Sequence, residues 1–340
     1  MDSISFGLVF LELVFGQLDR LPGPGEEVFS DEFAISCGGA VTSATAAADG
    51  GVKAGLCTRL GEDFGTQVVT EHCEAVGVSL APSVQLEGAA AGITVVLNFE
   101  GDRGFVTHLP PCAIRAQAEV ERWRTVLRRE RPAWCYLHAG RWVPDFLREA
   151  RELRCKVMLD TALGDARDPR ERDTVIECAG LADVFVPNAA ELLELTGSAD
   201  LPGAVSAASS WGARLVVTRG AAGALVTGED GSVTEVSEGV RDVRVRDLTG
   251  AGDSFAGAMM AALIEGASLT EAAVAANAAG SLAVSRLGAV GTVRADGAGA
   301  GWPLSPLAVR EVVRSLQASG DDVGMVGAAD QPGASEGTVR

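Results

Sequence analysis

Basic residues are scarce in this chain: 28 Lys and Arg stand against 46 Asp and Glu in 340 residues, a formal net charge of −18 at pH 7. So acidic a surface argues against a general nucleic-acid or anionic-membrane binder, although backbone amides can still build a local anion site. The seven cysteines, at 37, 57, 73, 112, 135, 155 and 178, include no C-x-x-C pair. Odd in number and scattered, they point to reduced thiols in a cytoplasm and away from a disulfide framework or a zinc site. No apolar run is long enough to span a bilayer. The nearest, "ISFGLVFLELVFG", carries Glu12 and lacks a basic flank, so it reads as a buried strand and not as a signal segment. No G-x-G-x-x-G follows that strand with an acidic residue downstream, which disfavours a dinucleotide-binding dehydrogenase.

What is present is an α/β rhythm. "WCYLHAG" (134–140), "KVMLD" (156–160), "ADVFVPN" (182–188) and "ARLVVTRG" (213–220) read as buried parallel strands, with helical stretches such as "VPDFLREARELR" and "AAELLELTG" between them. This alternation predicts a doubly wound domain whose ligands sit outside the carboxyl ends of the strands, where Asp160, Asn188 and Thr218 stand. Two regions break the rhythm. "AGITVVLNFEGDRGFVTHL" (91–109) reads as a hairpin turning at "EGDRG". The runs at 6–15 and 26–36 read as two more strands, separated by "LPGPGE". Together they predict a small β-sheet lid from segments near 6–36 and 91–109, within one domain over 1–317. Residues 318–340, rich in Gly, Ala, Ser and Asp without periodicity, read as a disordered tail.

The segment "RDLTGAGDSFAGAMMAALIEG" (246–266) carries the chemistry. Phe255, Ala258, Met259, Ala262 and Leu263 fall on one helical face, and Gly266 is placed to end the helix. Gly250, Ala251, Gly252 and Asp253 therefore lie at a helix N-terminus, where the first amides lack intrahelical partners. Such amides and the helix dipole favour a phosphate, and glycine lets it approach closely. Asp253 could take a proton from a hydroxyl held beside it. The plainer alternative is an aspartate that merely caps the helix.

Asp247-Leu248-Thr249-Gly250-Ala251-Gly252-Asp253 resembles the second signature of the ribokinase-like (PfkB-type) carbohydrate kinases, departing mainly at Leu248. "CGGAVTSATAAADGG" (37–51) with "RLGEDFG" resembles the first, and the motifs from about 4 to 295 follow the family's order. The resemblance implies a ribokinase-like, mainly parallel sheet with helices on both faces and a small β lid. It implies an ATP- and Mg2+-dependent kinase acting on a primary hydroxyl of a sugar or sugar-like substrate. Asp253 would be the base, and the Gly250, Ala251, Gly252 and Asp253 amides the anion hole.

The other site residues follow from the same resemblance. Glu12, where relatives carry Asp, would bind the acceptor with Gly38 and Gly39, with Ser43 in place of the usual Asn, and with His138. Asn188, Thr218, Gly220, Gly223, Gly252 and Asn277 would bind the nucleotide, with Glu191 of the N-x-x-E motif organising Mg2+ through water. Asn188-x-x-Glu191 is equally a capping box, and both roles can coexist. Asp247, Thr249, Ala283, Arg286, Gly288 and Thr292 match a potassium site formed mainly by carbonyl oxygens. A nucleoside kinase on the same scaffold is the alternative, favoured if Phe10 and Phe105 face inward; a sensor that keeps the pocket without the reaction is a third. The acceptor would be the small-molecule partner, without nucleic acid or membrane, in a cytoplasmic protein that could pair into a homodimer through the lid.

Overall fold

The structure is a computed structural model and describes residues 1–99, 102–110, 117–162, 168–237 and 243–293. The expected tail, the residues at 100–101 in the hairpin turn, and Cys112 lie outside the described residues.

The chain begins with β1 (Ser3–Phe6), β2 (Val9–Leu18), β3 (Glu32–Gly39), α1 (Ala40–Asp49), β4 (Ala54–Cys57) and β5 (Arg59–Leu60). Next come α2 (Phe64–Val76), β6 (Val84–Gln85), β7 (Gly92–Phe99), β8 (Asp102–His108), α3 (Gln117–Glu130) and β9 (Trp134–His138). The alternation continues through α4 (Val143–Glu152), β10 (Lys156–Asp160), α5 (Pro169–Leu181), β11 (Val184–Phe185), α6 (Ala189–Thr196) and α7 (Leu201–Ala208). It closes with β12 (Arg214–Thr218), β13 (Ala224–Thr227), β14 (Val233–Val236), α8 (Ala251–Ile264) and α9 (Leu269–Ala283).

Eight strands form one sheet in the order β14-β13-β12-β11-β10-β9-β1-β4, parallel from β4 to β12 and antiparallel at the β13 and β14 edge. Strand alternation sends side chains to opposite faces. Cys135 and Leu137 of β9 pack with α3 and α4, whereas Trp134 and Tyr136 pack in the core formed with α8 and α9. Because α8 is buried nearly all round, it reads as an internal helix and not as a one-sided one. Among the described residues no helix is long and apolar enough to cross a membrane.

A separate four-stranded sheet runs β3-β2-β7-β8. Here the sequence reading needs correction. The apolar run at 6–15 is not one strand: Ser3–Phe6 enters the large sheet, and the chain leaves it before Val9 to build the small one. Likewise the second lid strand starts at Glu32 and not at 26. The lid turns its Glu12, Val14, Ala34 and Val96 face towards the 287–290 loop, since Val14, Ala34 and Val96 pack against Leu287.

Candidate active site

The carboxyl ends of β9 and β10 and the start of α8 converge. Tyr136 and His138, two residues apart on β9, share a face, and Asp160 pairs with His138 at the end of β10. From α8, Asp253 meets them: Tyr136 Oη lies 2.9 Å from Asp253 Oδ1 and 2.9 Å from Asp160 Oδ2. His138 Nε2 lies 3.2 Å from the phenol and 3.7 Å from Asp253 Oδ1. His138, Asp160 and Asp253 each offer an atom within 4.8 Å of the others. Burial pushes the Asp160 carboxyl up, against a downward pull from His138, and Asp253 adds to the rise. Burial, followed by these two carboxylates, also lifts the Tyr136 phenol well above its ordinary range.

The turn into α8 is built for a close ligand. Gly250 has φ 74° and no side-chain cap, and a Cβ there would sit 2.6 Å from that of Ala289. Glycine is therefore required on both counts. A Cβ at Gly252, by contrast, would meet nothing within 4 Å, so open space adjoins the first-turn amides. The Ala251 N–H makes a long 3.4 Å contact to Leu248 O. Gly252 and Asp253 lie in the first turn, where the helix supplies no carbonyl partner.

Glu12 is buried in the lid, not exposed. It accepts from the Ala289 N–H at 3.1 Å and presses on Gly38, where a Cβ would fall 2.0 Å from Oε1. Burial first, then Asp247 and Asp253, pushes its carboxyl up to about 7. Gly39, with φ 78°, starts α1. Ser43 is not brought to the cleft: fully buried on α1, its hydroxyl lies 2.9 Å from Ser5 Oγ and 3.1 Å from Ala40 O, joining α1 to β1. Phe10 and Phe105 share the Glu12 face by register; Phe105 stays 52% exposed, with Arg103 over its ring.

The nucleotide candidates gather at the other half of the sheet. Asn188 and Thr218 form an isolated parallel bridge at the ends of β11 and β12. Asn188 Oδ1 accepts from Glu191 N at 2.9 Å and Glu191 Oε2 from Asn188 N at 2.8 Å, so the capping box is real. Glu191 is nonetheless buried beside the acidic cluster; burial, then Asp160, pushes it up to about 7. Gly220 and Gly223 flank the turn into β13, both at positive φ. Asn277 of α9 donates to Ser237 O at 2.8 Å, which commits its amide to holding α9 against the end of β14.

The two segments implied for potassium do meet. Asp247 Oδ1 accepts from Thr249 N and Oγ1, and its Oδ2 from Gly288 N at 2.8 Å, while Arg246 N donates to Val284 O. The Asp247 carboxylate is thus occupied in tying the two loops together. Ala283 is buried on α9 and Thr292 half-buried beyond it. Arg286 extends instead towards Asp49 and His72; burial lowers its guanidinium to about 10 and Asp49 opposes that fall.

Sequence reasoning missed Tyr136 and the link it makes between Asp160 and Asp253. The signal was available: the chain's one tyrosine sits two residues before His138 on a strand already recognised.

A mainly parallel sheet with a carboxylate and an open helix N-terminus at its carboxyl edge suits a phosphotransferase with a hydroxyl acceptor, and the sequence family establishes that class. The chain belongs to the pfkB family of carbohydrate kinases, whose sequence model matches residues 3–295. A cytidine kinase of Thermococcus kodakarensis is 27% identical over 281 residues, 80% of this chain and 91% of that protein. The nucleoside kinase of Burkholderia thailandensis, solved with inosine, superposes with TM-score 0.73 at 17% identity, covering 94% of this chain and 98% of its own. Arabidopsis thaliana ribokinase, solved with ribose and ATP, gives TM-score 0.68 at 22% identity over 92% and 98%. At such identities the two structures establish the fold alone.

Proposed function

We propose that the chain transfers the γ-phosphoryl group of ATP to a primary hydroxyl of a sugar or sugar-like substrate. The observation that carries this is Asp253, one quarter exposed at the mouth of α8 beside the open space at Gly252. Asp253 accepts the acceptor's proton, and the Gly250, Ala251, Gly252 and Asp253 amides with the helix dipole hold the migrating group. In phosphoryl transfer such positioning and electrostatics supply most of the rate. A sensor without the reaction would have no need of this base, so we set that reading aside.

Asn188, Thr218, Gly220, Gly223, Gly252 and Asn277 hold the nucleotide on the β11–β14 side. Magnesium suits Glu191, a hard oxygen donor whose burial beside Asp160 disfavours its charge until a cation restores it. When bound, Mg2+ neutralises phosphate charge; Glu191 orients its waters. Potassium, if taken up, rests on carbonyl oxygens of the 247–249 and 283–292 segments. Glu12, Gly38, Gly39 and His138 form the acceptor end. Ser43 acts there only through the seat of α1.

A nucleoside acceptor is the second reading. Phe10 and Phe105 on the lid face that carries Glu12 offer aromatic surface for a base. The cytidine kinase relative favours it too. The lid's opposite face, with Phe33 53%, Ile93 40% and Val106 64% exposed, is where a second copy would pair; a monomer in sedimentation would remove that idea. A coupled ADP-release screen over pentoses, hexoses, keto-acids and nucleosides tests the reading. ADP released only with free sugars upholds the sugar reading, and nucleosides preferred by their kcat/KM replace it with the second. No turnover of any hydroxyl acceptor sinks both.

A further inference from the structure

One phenol oxygen sits beside Asp253, whose role as base is taken from the proposed function. The Tyr136 ring has no exposure, and its hydroxyl meets Asp253 Oδ1, Asp160 Oδ2 and His138 Nε2 at 2.9, 2.9 and 3.2 Å. A phenol has one proton to donate and can accept others. It cannot serve two ionised carboxylates at once, so one neighbouring carboxyl must itself donate to Oη.

Asp160 is the better holder of that proton. Its Oδ1 already accepts from the Thr161 N–H at 2.7 Å, which leaves Oδ2 as the oxygen facing the phenol. The Asp253 side chain keeps 24% exposure, so solvent reaches its carboxylate at the mouth of α8. Further charges bear on the cluster: His138 from β9, Glu191 on Asp160 from α6, and Glu12 from the lid facing Asp253. Glu191 and Glu12 are carboxyls, so neither offsets negative charge on the cluster.

We propose that Asp160, Tyr136 and Asp253 form a bridge in which the Asp160 carboxyl donates to Tyr136 and Tyr136 donates to Asp253. Tyr136 and Asp160 are then positioning residues: they orient Oδ1 of the base and hold Asp253 as the anion that receives the acceptor's proton. As the phosphoryl group passes from ADP's oxygen to the acceptor's, the acceptor's proton goes to Asp253, and Asp160 and Tyr136 keep theirs.

The test compares Y136F, D160N and D160A by the pH dependence of kcat with saturating MgATP and the best acceptor. Phenylalanine keeps the ring and removes only the hydroxyl. Losing a hydrogen bond to a charged group should cut kcat by about 10- to 100-fold, leave the KM for ATP nearly unchanged, and move the acid limb to higher pH. The D160N carboxamide can still donate to Oη, so it should keep the acid limb low and exceed D160A in kcat by about tenfold. Thermal melts confirm folding. If the acid limb of a folded Y136F does not move, or if D160N is as impaired as D160A, the bridge is overturned. Infrared difference spectra of the free protein give a readout without turnover: wild type minus D160N should show a protonated-carboxyl stretch at neutral pH. Its absence overturns the bridge. Its presence in a protein that phosphorylates nothing upholds the bridge and removes Asp253's role as base.

Discussion

Replacing Glu12 by Gln should make the protein more heat-stable, and increasingly so as pH rises. The carboxyl moves from an ordinary 4.5 to about 7 on folding, chiefly through burial. The folded chain thus keeps a proton that the unfolded chain releases. This preference stabilises the fold fully below 4.5 and is lost as pH climbs through about 7. Once Glu12 is ionised, the loss amounts to about 3 kcal/mol, most of it between pH 5 and 8. Glutamine keeps an oxygen for the Ala289 N–H and carries no charge to desolvate. At roughly 2 °C per kcal/mol in a chain of this size, E12Q should gain about 5 °C over wild type between pH 5 and pH 8. Melting both proteins by differential scanning fluorimetry across that range checks it. Asp49 and Glu191 are also raised, so the difference between the two proteins is the quantity to read, not either curve alone. A melting difference that stays constant from pH 5 to pH 8 would refute the reasoning, and would mean that Glu12 is charged or solvated throughout.

Other outcomes are open to direct measurement. D253N should lower kcat by about 10²- to 10⁴-fold while ATP still binds by calorimetry; near-normal turnover in the folded variant would remove Asp253 from the chemistry. E191Q should raise the magnesium requirement more than the KM for the acceptor, whereas a lowered melting temperature alone would reduce Glu191 to its capping role. Exchanging a large inert cation for potassium at fixed ionic strength should raise activity, and a flat titration would withdraw the monovalent site.

Much of the large sheet was legible because buried parallel strands announce themselves as short apolar runs with polar residues at their carboxyl ends. Lys156–Asp160 is such a run, and the structure returns the same bounds. The first strand was harder, since Ser3–Phe6 and Val9–Leu18 read as one stretch. Only pairing partners decide that the former joins β4 and β9 while the latter joins β3 and β7. The site divides in the same way. Asp253 at a helix start is a local pattern and could be read. That Tyr136 bridges it to Asp160 depends on contacts across 117 and 24 residues, which no local pattern carries. Ser43 shows the converse, a motif position whose hydroxyl the core has taken over.

The lid draws its strands from both sides of α1, β4 and α2, and its pairing ties Asn98 to Phe15 across 83 residues and Glu12 to Ala289 across 277. Contacts so distant in sequence carry a larger loop-closure cost than local ones. The lid is therefore expected to close after the β9–β10 pairing that seats Tyr136 and Asp160, which lie only 24 residues apart. In pulse-labelled refolding the amides of Trp134–His138 would gain protection before those of Val9–Leu18.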